Sequence, residues 1–253
     1  MVPRIAFALL VLGMSGWAES AVAQVTTTIR VRVVSHDAKV IGSGVGGARV
    51  IVRDPRTGSV LAEGLQEGGT GDTRAIVIDQ VERRETIYDT PGAAQFTFDV
   101  ELTEPTVLEF VGEGPLGYEQ ALQRTSKTML IVPGEDVLGN GIVLELHGFI
   151  VELLEPKAAA AGEQVQVTAR VRMMCGCTQE PGGLWDADRL TVTARIYDGE
   201  TLVRSAPLSY AGEVNMFSGQ VSLEGLAGGE RLFVVVADAP RANFGRSETV
   251  VVH

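Results

Sequence analysis

Both cysteines of this 253-residue chain lie in one short segment, Met173-Met174-Cys175-Gly176-Cys177, at the end of a predicted strand. Successive side chains of a strand point to opposite faces, so the two cysteines share one face and the two methionines fall on opposite faces. Sulfur ligands this close together support disulfide, soft-metal or redox chemistry. We call residues 173–177 the sulfur segment.

Several arrangements of the sulfur segment remain open. The first is a disulfide between Cys175 and Cys177. Cα atoms two residues apart in a strand lie near the upper limit for a disulfide, about 6.8 Å, and a bend at Gly176 would bring them closer. The second is a copper site, in which Met173 and Met174 add thioethers to the two thiolates, since soft sulfur favours Cu(I). Structural zinc normally needs four ligands and is disfavoured. Two further arrangements are a strained disulfide that exchanges with a partner thiol and two free, buried thiols.

The remaining motifs carry less chemistry. His36, His147 and His253 are scattered along the sequence without metal-ligand spacing, so each is interpreted as a lone surface histidine. Residues 42–47 match G-x-G-x-x-G, but dinucleotide binding requires that motif to open a helix. Here it runs into an alternating strand, which predicts a hairpin loop. No catalytic constellation is recognisable, and we expect the protein not to be an enzyme.

The charge balance disfavours two classes of partner. The chain has 21 Lys+Arg against 32 Asp+Glu, a formal net charge of -11. A nucleic-acid groove needs clustered cations to displace phosphate counterions, so no nucleic-acid partner is expected. Electrostatic docking on anionic lipid is disfavoured for the same reason.

Residues 1–23 are predicted to be a secretory signal peptide. Arg4 gives a charged start, residues 5–14 form an apolar run, and the AVA sequence at 21–23 is a small-x-small cleavage site. The run is too short to cross a hydrocarbon core that needs about 20 residues, and no integral membrane segment is expected. The mature chain, residues 24–253, is therefore predicted to be periplasmic or extracellular.

Alternating apolar and polar residues predict strands through the mature chain. Ile29, Val31 and Val33 alternate with arginines, and residues 48–53 and 96–102 repeat this pattern, which is typical of a half-buried strand. Short strands with Gly-containing turns and no long helices favour antiparallel sandwiches. Further strands are expected near 59–63, 75–79, 106–111, 127–132, 141–146, 165–173, 190–197, 201–204, 216–223, 232–237 and 248–252. The sequence therefore predicts an all-β fold of two tandem antiparallel β-sandwich domains.

Two regions resemble known families. The sequence GGARVIVRD at 46–54, followed by Thr57-Gly58, resembles the transthyretin-like or carboxypeptidase-regulatory β-sandwich, in which this segment makes two neighbouring strands. In the second half, ADA at 237–239 with NFG at 243–245 resembles the end of bacterial immunoglobulin-like domains.

These resemblances imply a transthyretin-like domain at 24–147 and an immunoglobulin-like domain at 148–253. Such modules are usually scaffolds or binding units. We therefore predict an exported, non-enzymatic binding or scaffold protein, an accessory subunit of a cell-envelope or extracellular assembly. Its partner is expected to be a protein, bound by addition of a strand to a sheet edge, and no cofactor is expected. The alternative is a periplasmic copper-binding protein that uses the sulfur segment.

Overall fold

The computed structural model of this chain describes residues 24–159 and 164–253. Fifteen strands and five short helical turns occur in these residues, so the predicted all-β class is confirmed. The signal peptide predicted at residues 1–23 lies outside the described residues. Within the described ranges, no helix combines the length and apolar character needed to span a membrane.

The first half of the chain forms two sheets that face each other. Their strand orders are β4-β1-β7 and β3-β2-β5-β6. Every pairing is antiparallel except that of β1 with β7, which is parallel and departs from the expected antiparallel arrangement. A parallel pair needs a long crossover, and here strands β2 to β6 supply it. The strands are β1 (Val25–Ser35), β2 (Ala48–Arg53), β3 (Val60–Gln66), β4 (Phe96–Leu102), β5 (Thr106–Gly114), β6 (Gln123–Ile131) and β7 (Val137–Leu146).

A buried amide joins the two sheets of the first half. Gln66, at the end of β3, is fully buried. Its Nε2 donates to the carbonyls of Val33 and Ile41, both at 2.8 Å, and its Oε1 accepts from the Val33 N–H at 2.7 Å. Because a buried amide is tolerated only when it is paired, these bonds fix β3 against the end of β1.

Two local predictions were wrong. The expected strand at 75–79 is instead a helical turn, Arg74–Ile78, because the Asp72 carboxylate accepts a hydrogen bond from the Ala75 N–H at 2.8 Å and favours a turn. The glycine-rich residues 42–47 do not form a hairpin. They contain a short 3-10 turn, Ser43–Val45, and carry the chain from β1 in one sheet to β2 in the other.

The second half forms one antiparallel sheet in the order β14-β13-β10-β11-β12-β9-β8, with β15 paired to β13. β11 and β12 share only two residue pairs, Ser209–Ser218 and Tyr210–Phe217, so the sheet folds there into two layers around a single core. Its strands are β8 (Phe149–Glu155), β9 (Gln164–Met173), β10 (Thr191–Asp198), β11 (Thr201–Tyr210), β12 (Met216–Ser222), β13 (Arg231–Asp238), β14 (Asn243–Arg246) and β15 (Val250–Val251).

The first and last strands of this sheet approach each other at Gly245. A Cβ at that position would lie 2.9 Å from the Phe149 Cβ, so glycine is required for β14 to reach β8. The division into two domains near His147-Gly148 stays a prediction, and the surface where residues 24–147 meet residues 148–253 is called the junction below.

Candidate functional site at the junction

The sulfur segment ends β9 as a tight loop closed by a disulfide. Cys175 and Cys177 are bonded, with their Cα atoms 5.5 Å apart. Gly176 has a φ of 83°, a left-handed conformation that glycine adopts without a side-chain penalty. Its N–H donates to the Met173 carbonyl at 2.8 Å. Of the arrangements left open by the sequence, the structure supports the disulfide.

The two methionines of the sulfur segment lie in different cores. Met173 packs in the core of the second half, whereas Met174 is fully buried among residues of the first half. Gly148 leaves the space for Met174, since a Cβ there would lie 2.9 Å from the methionine Sδ. Because the thiols are joined and the thioethers are in separate cores, the copper-binding alternative at Met173, Met174, Cys175 and Cys177 is not supported.

Asp37, in the turn after β1, connects the two halves. Its carbonyl accepts a hydrogen bond from Trp185 Nε1 at 2.8 Å, and its Oδ2 lies 2.7 Å from Arg241 Nε. Arg241 also contacts Asp238 Oδ2 at 3.0 Å. The hydrogen bond to Asp238, and then the negative charge of Asp37, raise the pKa of the Arg241 guanidinium above its ordinary value. Sequence inspection missed Asp37, which has no motif around it.

Arg172 forms a second connection across the junction. Its Nη2 donates to the Tyr118 hydroxyl at 2.7 Å and contacts Glu152 Oε2 at 2.9 Å. Its guanidinium also lies 5.1 Å from the centre of the Tyr118 ring. Burial lowers the pKa of Arg172, but the hydrogen bonds to Tyr118 and Glu152, together with the negative charge of Glu152, outweigh burial and raise it overall. This pairing and the Asp37 contacts hold the two halves at separate points.

A pocket of about 230 Å³ opens at the junction beside Trp185. Gln179 lines it and is 1 % exposed, and its Nε2 has no hydrogen-bond partner among the described residues. On the rim, Asp186 accepts from the N–H groups of Gly182 and Asp188 at 2.9 and 3.0 Å, and these bonds lower its pKa. The pocket therefore combines an aromatic wall with polar and charged groups.

The structure brings together two histidines that are far apart in the sequence. β1 and β7 run parallel with Ser35 opposite Leu146, so the residues that follow both strands end side by side. The rings of His36 and His147 stack with their centroids 3.9 Å apart and their planes at 17°. The interpretation of these two residues as scattered, lone histidines was wrong.

Glu145 completes this group, which we call the histidine cluster (His36, Glu145 and His147). Its Oε1 lies 2.9 Å from His36 Nδ1, and its Oε2 lies 3.9 Å from His147 Nε2. No sequence motif indicated the cluster, because its spacing is set by the pairing of β1 with β7.

Comparisons with known proteins give only distant similarity. No protein-family model matches the sequence, and no curated protein matches it. An engineered protein is 20% identical over 48% of this chain and 24% of its own, with a TM-score of 0.29. A marsupial T cell receptor is 9% identical over 90% of this chain and 72% of its own, with a TM-score of 0.31. A chimeric titin Z1Z2 is 12% identical over 91% of this chain and 96% of its own, with a TM-score of 0.24.

The expected pair of neighbouring strands is present in the region that resembles the transthyretin-like family. β2 and β3 pair antiparallel from Ala48–Gln66 to Arg53–Val60. The transthyretin-like assignment itself stays a prediction.

Proposed function

We propose that this chain is an exported, non-enzymatic binding or scaffold protein that serves as an accessory subunit of a cell-envelope or extracellular assembly. The signal peptide predicted at 1–23 supports export, and the Cys175–Cys177 disulfide is compatible with an oxidising compartment. The contacts of Met174, Asp37 and Arg172 across the junction support a scaffold role, because they fix the two halves and leave sheet edges and loops for partners.

One observation carries the proposed mode of binding. Among the described residues, β3 pairs along its length with β2 alone, so its other edge presents unpaired backbone groups. Val60, Leu61 and Leu65 on this strand are 54%, 44% and 54% exposed. An extended segment of a partner protein would add to such an edge as a further strand, with main-chain hydrogen bonds for affinity and apolar side chains for specificity.

Co-purification of the untagged mature chain, residues 24–253, with its native partners tests the proposal. We expect a defined protein partner to be retained by the wild-type chain. Leu61→Lys should reduce retention, because a charge on an edge strand opposes strand addition. Leu202→Lys is the matched control: Leu202 is 46% exposed, close to the 44% of Leu61, but it lies on β11 in the other half.

Two results would contradict this mode of binding. In one, no specific partner is retained by wild type. In the other, Leu202→Lys reduces retention as much as Leu61→Lys does. A turnover that copurifies with the wild-type chain through stringent purification would contradict the non-enzymatic part of the proposal.

A further inference from the structure

We propose that the histidine cluster binds one divalent transition-metal ion, with Zn²⁺ as the expected ion. Each of His36, Glu145 and His147 offers one ligand atom, and these three atoms lie within 4.8 Å of one another. Two imidazole nitrogens and one carboxylate oxygen are a ligand set that suits Zn²⁺, with water in the fourth position. The site shares no residue with the sulfur segment or with β3.

The backbone places the cluster on a rigid part of the fold. The His36 N–H donates to the Leu146 carbonyl at 2.8 Å, which continues the β1–β7 pairing one residue beyond β1. Glu145 is in β7 and His147 follows that strand directly, so all three residues start from two paired strands. Ligands that start from paired strands are placed more precisely than ligands that start from a loop.

The second half of the chain orients one of the histidines. His147 Nδ1 lies 3.3 Å from the Ala242 carbonyl oxygen. A carbonyl oxygen only accepts, so in the neutral imidazole this contact places the proton on Nδ1 and leaves the lone pair on Nε2. Nε2 is the nitrogen that faces Glu145 Oε2. A hydrogen bond on the far nitrogen of a ligating histidine is the usual way in which a protein fixes its tautomer and orientation.

The side chains have room to close on an ion. A Zn–N bond is about 2.0–2.1 Å, so ligands of one ion lie closer together than these atoms do now. A metal ion binds an imidazole nitrogen in the plane of the ring. The stacked rings of His36 and His147 must therefore tilt apart before both nitrogens can point at one ion. The side chains are 22%, 49% and 46% exposed at His36, Glu145 and His147, which leaves them free to turn.

Titration calorimetry with Zn²⁺ on the untagged, metal-free mature chain tests the site. We expect binding of one ion. His36→Ala and His147→Ala should each weaken it by at least about 100-fold, because loss of a ligand should exceed the 10–100-fold effect of losing a second-shell partner. Glu145→Gln removes the negative charge but keeps an oxygen that can still ligate, so it should weaken binding less than the alanine variants do, by about 10-fold or more. His253→Ala, which removes the third histidine of the chain, should bind as wild type does.

A spectroscopic measurement separates this site from the sulfur segment. With Cu²⁺ as the probe, electron paramagnetic resonance should show coupling to two nitrogens in wild type and to one in His147→Ala. The thermal unfolding of each metal-free variant shows whether it is folded. If His36→Ala or His147→Ala is not folded, the glutamine variant of the same histidine, His36→Gln or His147→Gln, replaces it. The proposal is overturned if wild type binds no Zn²⁺. It is also overturned if His253→Ala weakens binding as much as His36→Ala does, or if only a Cys175→Ser/Cys177→Ser variant loses it.

Discussion

The sulfur segment and the histidine cluster differ in how closeness in the sequence relates to closeness in the fold. The four sulfur atoms are neighbours in the sequence, yet the fold joins two of them and sends the methionines into separate cores. The histidines are far apart in the sequence, yet their rings stack at 3.9 Å. The sequence therefore suggested a metal site at the sulfur segment, where the fold supports none. It gave no sign of the histidine cluster, because the histidines are far apart in the sequence.

The difference follows from where each region lies in the fold. The sulfur segment lies at the end of the half-buried strand β9, at the junction. Met173 and Met174 pack in two different cores there and contribute to stability. The histidine cluster lies at the ends of two paired strands, where side chains remain partly exposed. If one region is structural and the other binds a ligand, substitutions in and around the sulfur segment should cost more stability than substitutions in the histidine cluster.

Replacing Met174 should have the largest effect. Met174→Ala should lower the free energy of unfolding by about 2–5 kcal/mol, because it leaves a cavity in the first core at the junction. Met174→Leu, which nearly conserves volume, should cost less than about 1.5 kcal/mol. Urea unfolding monitored by circular dichroism measures both. Equal stability of Met174→Ala and wild type would show that Met174 does not anchor the junction.

Removal of the disulfide should cost less. Cys175→Ala/Cys177→Ala should lower the free energy of unfolding by about 1–2 kcal/mol, since closing so short a ring restricts the unfolded chain little. Reduced wild-type protein is the matched comparison, because it retains both sulfur atoms. A loss as large as that of Met174→Ala would mean that the covalent bond, rather than core packing, holds this region.

The Trp185 contact with Asp37 should contribute a smaller amount. Trp185→Phe keeps an aromatic ring but removes the Nε1 donor, so the free energy of unfolding should fall by about 1 kcal/mol. Leu184→Ala is the control, since Leu184 is the neighbouring residue and is 51% exposed. Urea unfolding measures the free energy of unfolding of both variants. A larger loss for Leu184→Ala than for Trp185→Phe would contradict the role given to the hydrogen bond.

The histidine cluster should contribute least to stability without metal. His147→Ala should change the free energy of unfolding of the metal-free protein by no more than about 0.5 kcal/mol, as is usual for surface substitutions. The same urea titration, run with a chelator, measures this. A cost near that of Met174→Ala would make the cluster a structural feature and remove the contrast between the two regions.

Much of the strand pattern could be predicted, because alternation records which side chains are buried. In β1, Ile29, Val31 and Val33 are fully buried as their alternation predicts, but Arg32 on the opposite face is buried as well, so the expected half-buried strand was only partly correct. The strand predicted at 75–79 was wrong because the hydrogen bond from the Ala75 N–H to the Asp72 carboxylate favours a turn. A hydropathy pattern does not record such local hydrogen bonds. The contact of Asp37 with Arg241 was also beyond prediction, since neither residue belongs to a motif.

Local residue patterns were enough to predict that this chain folds into strands and that its two cysteines are close enough to bond, because both properties depend on residues a few positions apart. The parallel pairing of β1 with β7, which brings His36, Glu145 and His147 together, is visible in the folded chain alone. Such a pairing depends on how the intervening strands β2 to β6 pack into their sheets, and no local pattern of residues records it.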